Sequence, residues 1–156
     1  MKPQKLMTLC FLIKEETLGE KYVCLAEKKR GFRVGKMNGA GGKVEQGETI
    51  EQGARRETKE ELGVELLDCN YMGRVLYDDH DVVYDVHVYT SNQWDGEPIE
   101  TEEMKPSWFL FNEIPYHLMG KSDKLWIPYV LDSVKLNCVF SFSKENGLTR
   151  AELIFI

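Results

Sequence analysis

The sequence predicts an α+β fold in which helices pack on a mixed β-sheet. Short runs rich in branched and aromatic residues outnumber the helical segments, and the connections between them are short. No internal repeat, low-complexity tract or linker divides the chain. A chain of 156 residues also suits one domain with a core of its own. We therefore treat residues 1–156 as a single domain.

The first predicted elements are two strands and a loop. Leu6–Ile13 and Lys21–Ala26 are rich in strand-forming residues, and the polar stretch between them contains Gly19, which predicts a hairpin. Residues 31–42 contain five glycines and show little periodicity, which predicts a loop. The run Leu6–Ile13 follows two lysines, as in a signal peptide, but it is short and no small-residue cleavage site follows it. We interpret it as a strand.

A helix is predicted between Thr49 and Gly63. Thr49 and Gln52 match a capping box, in which each side chain accepts a hydrogen bond from the backbone of the other residue. Gly63 suits the left-handed residue that often follows a helix. Helical spacing predicts a buried stripe made of Ala54, Thr58 and Leu62.

The C-terminal half is predicted to form strands, a second helix and a closing hairpin. The pair Asn146-Gly147 is a tight-turn signal, and it lies between the last two strands. The predicted strands are Glu65–Tyr77, Val82–Ser91, Ser107–Phe111, Asn137–Ser143 and Thr149–Ile156, and the predicted helix is Ile127–Leu136.

Composition and charge limit the function classes. The chain is 42% hydrophobic and 29% charged, which is typical of a globular protein, and its net charge is −6. An acidic surface repels a nucleic-acid backbone, so we expect no nucleic-acid partner. A small phosphate substrate is still allowed, provided that cations separate it from the carboxylates.

The predicted compartment is the cytoplasm. Four cysteines are scattered without a C-x-x-C pair or zinc-ligand spacing, which predicts free thiols in a reducing compartment. No segment approaches the length of a membrane span, so we expect no membrane contact. We also expect a monomer. The cysteines are Cys10, Cys24, Cys69 and Cys138.

Three carboxylates share one side of the predicted helix. Helical geometry places Glu57, Glu60 and Glu61 within roughly 100° of one another. Like charges four residues apart destabilise a helix by a few tenths of a kcal/mol, and a shared cation would remove that cost. Hard oxygen donors with no nearby His or Cys predict Mg²⁺, or Mn²⁺ as a substitute. The helix alone leaves a solvated acidic face as an alternative.

The glycine-rich segment before the helix favours the metal-binding interpretation. Asn38-Gly39-Ala40-Gly41-Gly42-Lys43 leads toward the acidic helix, and glycines let bare backbone approach a phosphate or a metal closely. A glycine-rich loop alone is often only a turn. Together with three glutamates on the helix that follows, it predicts a phosphate and metal site.

The spacing of these residues resembles the Nudix motif. The match covers 23 residues from Gly42 to Val64 and departs only at Thr58, where the family prefers a bulky aliphatic residue. The resemblance implies an α/β/α sandwich around a mixed sheet and metal-dependent hydrolysis of phosphoanhydride bonds. The matching positions are Gly42, Glu48, Arg56, Glu57, Glu60, Glu61 and Gly63.

The resemblance also implies roles for individual residues. Arg56 and Glu48 resemble the pair that joins the loop to the helix and keeps the carboxylates in position. For hydrolysis by a metal-bound water we expect the general base to be a carboxylate, with Glu60 and Glu103 as candidates. The implied metal ligands are the Gly41 carbonyl, Glu57, Glu60, Glu61 and Glu103.

Stretches outside the motif are similar to the MutT-like oxidised-purine nucleoside triphosphatases, the 8-oxo-dGTP diphosphatases. This similarity implies cleavage of a purine nucleoside triphosphate to a monophosphate and pyrophosphate, and thus sanitisation of the nucleotide pool. Asn38 is expected at the base. The implied substrate-binding positions are Thr8, Lys28, Phe32, Asn38, Gly39, Tyr84 and Asp123.

The pattern departs from that subfamily at the loop that reads the base. The subfamily has Trp-Pro-Asp-Asp where this chain has Gly120-Lys121-Ser122-Asp123. The stacking tryptophan is missing and only the second aspartate remains, which predicts weaker selection of oxidised purines. Three alternatives stay open: hydrolysis of another nucleoside diphosphate-linked substrate, a non-catalytic nucleotide-binding module, and a protein-interaction domain acting through residues 126–136.

Overall fold

A computed structural model describes residues 2–31 and 33–156 of the protein. The helices in these residues are α1 (Ile50–Leu62) and α2 (Asp123–Leu131). The strands are β1 (Gln4–Glu15), β2 (Lys21–Lys28), β3 (Met37–Asn38), β4 (Glu65–Leu66), β5 (Asn70–Asp79), β6 (Val82–Ser91), β7 (Trp94–Asp95), β8 (Met104–Leu110), β9 (Leu136–Ser143) and β10 (Gly147–Phe155).

Most of the strands form one mixed sheet, as the sequence predicts. Its order is β10-β9-β5-β6-β1-β2-β3, and β8 pairs with β2. The pairs β1–β6 and β5–β9 are parallel, whereas the others in this sheet are antiparallel. β1 lies in the interior of the sheet, and its segment Leu9–Ile13 is continuously buried because both faces are covered.

The two helices cover opposite faces of the sheet. Successive side chains of β1 alternate between the faces, so Phe11 packs in the cluster that contains α2 residues such as Trp126. Leu12 packs in the other cluster, together with Ala54 and Leu62 of α1. This arrangement confirms the predicted α/β/α layers. Among the described residues, no helix is long and apolar enough to cross a membrane.

The hairpin between β1 and β2 is shorter than predicted. The two strands pair only where Ile13–Glu15 meets Lys21–Val23. Nearer the start of β1, the segment beside the strand is the glycine-rich loop. Cys10 of β1 and Ala40 of the loop exchange two backbone hydrogen bonds. The divergence of the two strands therefore makes room for the loop beside β1. The predicted loop at residues 31–42 also contains the short strand β3.

Three predicted elements were wrong in their limits. The predicted strand Ser107–Phe111 begins earlier, at Met104, and ends at Leu110, because β8 pairs with β2 over that whole length. The predicted strand Glu65–Tyr77 is interrupted between β4 and β5, because the Asp68 carboxylate accepts hydrogen bonds from residues 91–93 instead of continuing a strand. The predicted helix Ile127–Leu136 begins earlier and ends at Leu131, since the chain turns at Ser133 with φ of +65°. Leu136 belongs to β9. The closing hairpin is confirmed, with Gly147 at positive φ.

All four cysteines are free thiols. Cys10, Cys24 and Cys138 are buried in the two hydrophobic clusters, whereas Cys69 is half-buried. The prediction of thiols that take part in no disulfide is therefore confirmed.

Candidate active site

Helix α1 carries most of the predicted site, and local sequence signals define its ends. The Thr49 hydroxyl accepts the Gln52 N–H at 3.1 Å, and the Gln52 side chain accepts the Thr49 N–H at 2.8 Å. Gly63 ends the helix in the left-handed conformation. Thr58 is buried and donates its hydroxyl to the Ala54 carbonyl at 2.7 Å, which explains how the motif tolerates a polar residue there.

The glycine-rich loop lies against β1 and α1 at distances that exclude a side chain. The Thr8 N–H donates to the Gly42 carbonyl at 2.8 Å. A β-carbon on Gly41 would overlap the Thr8 carbonyl, and one on Gly42 would lie 2.6 Å from the Glu57 carboxyl group. The Gly41 N–H donates to Glu61 Oε1 at 2.8 Å. Bare backbone thus brings the loop into contact with two of the motif carboxylates.

Arg56 joins the loop to the helix. Its Nε and Nη2 donate to the two oxygens of Glu48 at 3.0 and 2.7 Å, which is a bidentate pair. Its Nη2 also donates to the Lys43 carbonyl at 3.0 Å. Its Nη1 donates to Glu57 at 3.0 Å and to Glu60 at 3.1 Å. The Arg56 guanidinium and the Glu45 N–H lower the pKa of Glu48 to about 2.

The acidic residues are close enough to repel one another. Burial raises the pKa of Glu61 to about 7, the Gly41 N–H opposes this rise, and the charges of Glu57 and Glu103 add to it. Burial likewise raises the pKa of Glu57, against the effect of its hydrogen bond from Arg56. The structure therefore brings Glu57, Glu61 and Glu103 close together. We call these three residues the acidic cluster, and Glu60 lies at its exposed edge.

The chemistry of the groups at this site suits a hard divalent cation. These groups are carboxylate oxygens beside the glycine backbone of the loop, which suit Mg²⁺ or Mn²⁺ and do not suit zinc. Within residues 2–31 and 33–156, however, no three acidic, His or Cys side chains are arranged closely enough to hold an ion. Instead, Glu61 accepts from Gly41, and Glu57 and Glu60 accept from Arg56. Metal binding therefore requires these side chains to change partners.

Predicted substrate-binding residues lie on both sides of the sheet. Thr8 lies on β1 beside the loop, and its buried hydroxyl has no hydrogen-bond partner among the residues that the structure describes. Lys28 ends β2 and is close enough to Glu61 to oppose the rise of that pKa. The Asn38 side chain accepts the Gly39 N–H at 2.9 Å. Phe32 lies outside the described residues.

Tyr84 and Asp123 lie on the α2 side of the sheet. Asp123 is 4% exposed; its Oδ2 accepts the Gly120 N–H at 2.8 Å and its Oδ1 accepts the Tyr77 hydroxyl at 3.4 Å. Burial raises the pKa of Asp123. Sequence reasoning missed Tyr77, although it is paired across the strands with Tyr84. The available signal was two tyrosines in neighbouring predicted strands.

Comparisons with known proteins agree with the motif. The NUDIX domain model matches residues 5–130. Oxidized purine nucleoside triphosphate hydrolase from Danio rerio is 37% identical over 155 residues, which are 98% of this chain and 96% of that protein. The protein of the same name from Mus musculus is 35% identical over 150 residues, covering 95% of this chain and 93% of that protein.

The fold agrees with solved structures as well. The MutT protein from Bacillus halodurans has a TM-score of 0.79 to this chain at 24% identity, and the match covers 96% of this chain and 97% of the other. A family model spanning most of the chain, with two relatives matched over nearly their whole length, shows that this protein belongs to the NUDIX family.

Proposed function

We propose that the protein hydrolyses purine nucleoside triphosphates, including oxidised ones such as 8-oxo-dGTP, to a nucleoside monophosphate and pyrophosphate. The observation that carries the proposal is the hydrogen-bonded network from Glu48 through Arg56 to Glu57 and Glu60. The chain that holds this network matches two oxidized purine nucleoside triphosphate hydrolases over nearly its whole length. Such an activity would remove damaged nucleotides from the nucleotide pool.

The acidic cluster is proposed to hold Mg²⁺, with Mn²⁺ as a substitute. When bound, the cation would neutralise the polyphosphate and make a coordinated water more acidic. The chain contributes position, because Arg56 orients two carboxylates and the Gly41 N–H orients Glu61. EDTA should abolish hydrolysis, and added Mg²⁺ should restore it. The proposed ligands are the Gly41 carbonyl, Glu57, Glu60, Glu61 and Glu103.

We propose attack by water on the β-phosphorus, in line with the departing monophosphate. The water oxygen forms a bond to the β-phosphorus, and the bond from that phosphorus to the α–β bridging oxygen breaks. The water proton passes to a carboxylate, either Glu60 or Glu103. Reaction in ¹⁸O-water should place the label in pyrophosphate. Label in the monophosphate would mean attack at the α-phosphorus, and release of orthophosphate with a nucleoside diphosphate would contradict the proposal.

Base selection is proposed to involve Asn38 and Asp123, with Thr8, Lys28, Phe32, Gly39 and Tyr84 as further substrate contacts. Gly120 offers no stacking surface, so we expect weaker discrimination between oxidised and normal purines than a tryptophan would give. A hydrolysis screen should include normal and oxidised triphosphates, ADP-ribose and dinucleoside polyphosphates. Turnover of ADP-ribose or a dinucleotide above every triphosphate would reject the proposed substrate class.

One chain is proposed to form a complete catalytic unit in the cytoplasm. We also propose that the protein is a monomer. The free cysteines are consistent with a reducing compartment. Sedimentation analysis of the purified protein tests the monomer.

A further inference from the structure

A basic segment at the end of β2 faces an acidic segment before β8. The Lys29 ammonium lies 2.6 Å from Glu100 Oε2 and donates to the Thr101 carbonyl at 2.7 Å. The Lys29 N–H donates to the Glu103 carbonyl at 2.8 Å, which fixes the two segments side by side. The next residue, Arg30, points its guanidinium at two carboxylates, with Nη1 3.5 Å from Glu102 and Nη2 3.6 Å from Glu103.

The Glu103 carboxylate connects Arg30 with the acidic cluster. The Thr101 hydroxyl donates to the Glu61 carbonyl at 3.0 Å and accepts the Glu103 N–H at 3.2 Å, which places Glu103 beside the end of α1. The charge of Glu103 contributes to the raised pKa of Glu57 and of Glu61. The Arg30 guanidinium therefore lies at the rim of the proposed metal site, beyond Glu103. In contrast, the Lys29 ammonium contacts Glu100 and the Thr101 carbonyl, neither of which is a proposed metal ligand.

The Arg30–Glu103 pair is suited to exchange partners. The Arg30 side chain is 61% exposed and that of Glu103 is 45% exposed, and exposed pairs of this kind contribute little to stability. A divalent cation bound to Glu103 would repel the guanidinium and compete for the same carboxylate. A phosphate oxygen beside that cation would attract the Arg30 guanidinium, because the planar guanidinium matches phosphate geometry.

We propose that Arg30 is a polyphosphate-binding residue that exchanges partners during substrate binding. It pairs with Glu103 until a divalent cation takes that carboxylate, and it then binds a phosphate oxygen of the nucleotide. The inference rests on the proposed function, because it takes the acidic cluster as the cation site and a nucleoside triphosphate as the ligand. It predicts opposite effects of one substitution on cation binding and on nucleotide binding.

Cation binding is measured first, by titrating the purified protein with Mn²⁺ and following free Mn²⁺ by electron paramagnetic resonance. Arg30→Gln should bind Mn²⁺ about threefold more tightly, because it removes the screened repulsion between one unit charge and a nearby divalent cation. Arg30→Lys keeps the charge and should bind Mn²⁺ as the wild type does. Lys29→Gln is the matched control and should leave Mn²⁺ affinity unchanged. Equal Mn²⁺ affinity in Arg30→Gln and the wild type would overturn the exchange of partners.

Nucleotide binding is measured by calorimetry at saturating Mn²⁺, with a purine nucleoside triphosphate carrying a non-hydrolysable α,β-methylene bridge. Arg30→Gln should weaken this binding about tenfold, since it removes a charge-assisted hydrogen bond. Binding of the nucleoside monophosphate should be unchanged, because it lacks the β- and γ-phosphates. Equal affinity of Arg30→Gln and wild type for the triphosphate analogue would overturn the phosphate role.

These binding measurements separate the inference from the proposed function. A wild type that binds the analogue with Mn²⁺ but releases no product from any triphosphate would reject the hydrolase proposal. The contrasting effects of Arg30→Gln would still support the role of Arg30. Conversely, normal hydrolysis with no effect of Arg30→Gln on either affinity would reject only the inference.

Discussion

At the scale of single residues, Arg56 connects the largest part of the site. Its guanidinium reaches Glu48 and the Lys43 carbonyl in the loop, and Glu57 and Glu60 on the helix. The two carboxylates of the helix are therefore positioned by the same group that anchors the loop.

Replacing Arg56 with Ala should impair both catalysis and stability. We expect kcat to fall at least about a hundredfold, because misplaced carboxylates lose the geometry of the reaction. The melting temperature should also fall, since Glu48 and the Lys43 carbonyl lose their partner. Steady-state kinetics and thermal unfolding measure the two effects. Arg55→Ala is the control, because Arg55 donates to the Glu51 carboxylate and to the Leu66 carbonyl, both outside the acidic cluster. A wild-type kcat in Arg56→Ala would disprove the positioning role.

Glu61→Gln should separate activity from stability. We expect kcat to fall by about three orders of magnitude, which is typical of losing a group that stabilises transition-state charge. Glu61 is 7% exposed, and the neutral amide ends its repulsion with Glu57 and Glu103 while still accepting the Gly41 N–H. The melting temperature should therefore stay equal or rise. Near-normal kcat at saturating Mg²⁺ would remove Glu61 from the proposed ligands.

Asp123→Ala should affect base recognition and stability together. Both carboxylate oxygens accept hydrogen bonds inside the protein, so their loss should cost about 1–3 kcal/mol of unfolding free energy. The KM for the preferred purine should rise more than the KM for others. Tyr77→Phe serves as the comparison, because it removes one hydrogen bond and keeps the carboxylate. A destabilised variant with unchanged KM values would assign Asp123 a structural role only.

The motif residues were predictable and the supporting residues were not. Glu48, Arg56 and the helix glutamates follow one another within a short segment, so their spacing carries the prediction. Tyr77 reaches Asp123, and Arg30 reaches Glu103, across large separations in sequence. Such contacts depend on strand register, which a single sequence does not specify.

At the scale of elements, prediction succeeded where the determinants are local. Helix α1 was predicted at both ends because its N-cap Thr49 and its C-terminal Gly63 are the residues directly next to the helix in sequence. The limits predicted for α2 were wrong because its first turn depends on a distant contact. Asp123 in that turn accepts hydrogen bonds from Gly120 and from Tyr77, which is far away in sequence. The strand predicted at Glu65–Tyr77 was interrupted for the same kind of reason, since Asp68 binds the segment after β6.

Asp68→Asn tests that interruption. Burial opposes ionisation of Asp68, but hydrogen bonds from Ser91, Gln93 and Asn70 outweigh it and lower the pKa. A lowered pKa stabilises the folded protein above the ordinary Asp pKa of about 3.9, and this contribution is lost as the pH falls through the lowered pKa of the folded state. Asp68→Asn should therefore unfold at a lower temperature than wild type at pH 7, and the difference should shrink only as the pH falls below about 4. A difference that is constant with pH would contradict the role of the charge.

At the scale of the whole molecule, the predicted layers are confirmed but the strand order was not predictable. Short strand-forming runs that outnumber the helical segments were enough to predict helices packed on a mixed sheet, and the resemblance to the Nudix motif implied the α/β/α layers. The order β10-β9-β5-β6-β1-β2-β3 depends on pairing between distant segments. The same order divides the proposed site, with the acidic cluster on the α1 side and Asp123 on the α2 side.

The burial of the cysteines has a consequence for chemical durability. Peroxide reacts with the thiolate and hardly with the protonated thiol. Burial raises the pKa of Cys24 and Cys138 to about 12 and shifts that of Cys10 in the same direction, so these sulfurs remain protonated at neutral pH. Half-buried Cys69 also has a raised pKa, of about 11. An enzyme proposed to clear oxidised nucleotides thus presents little reactive sulfur to the oxidants that generate its substrates.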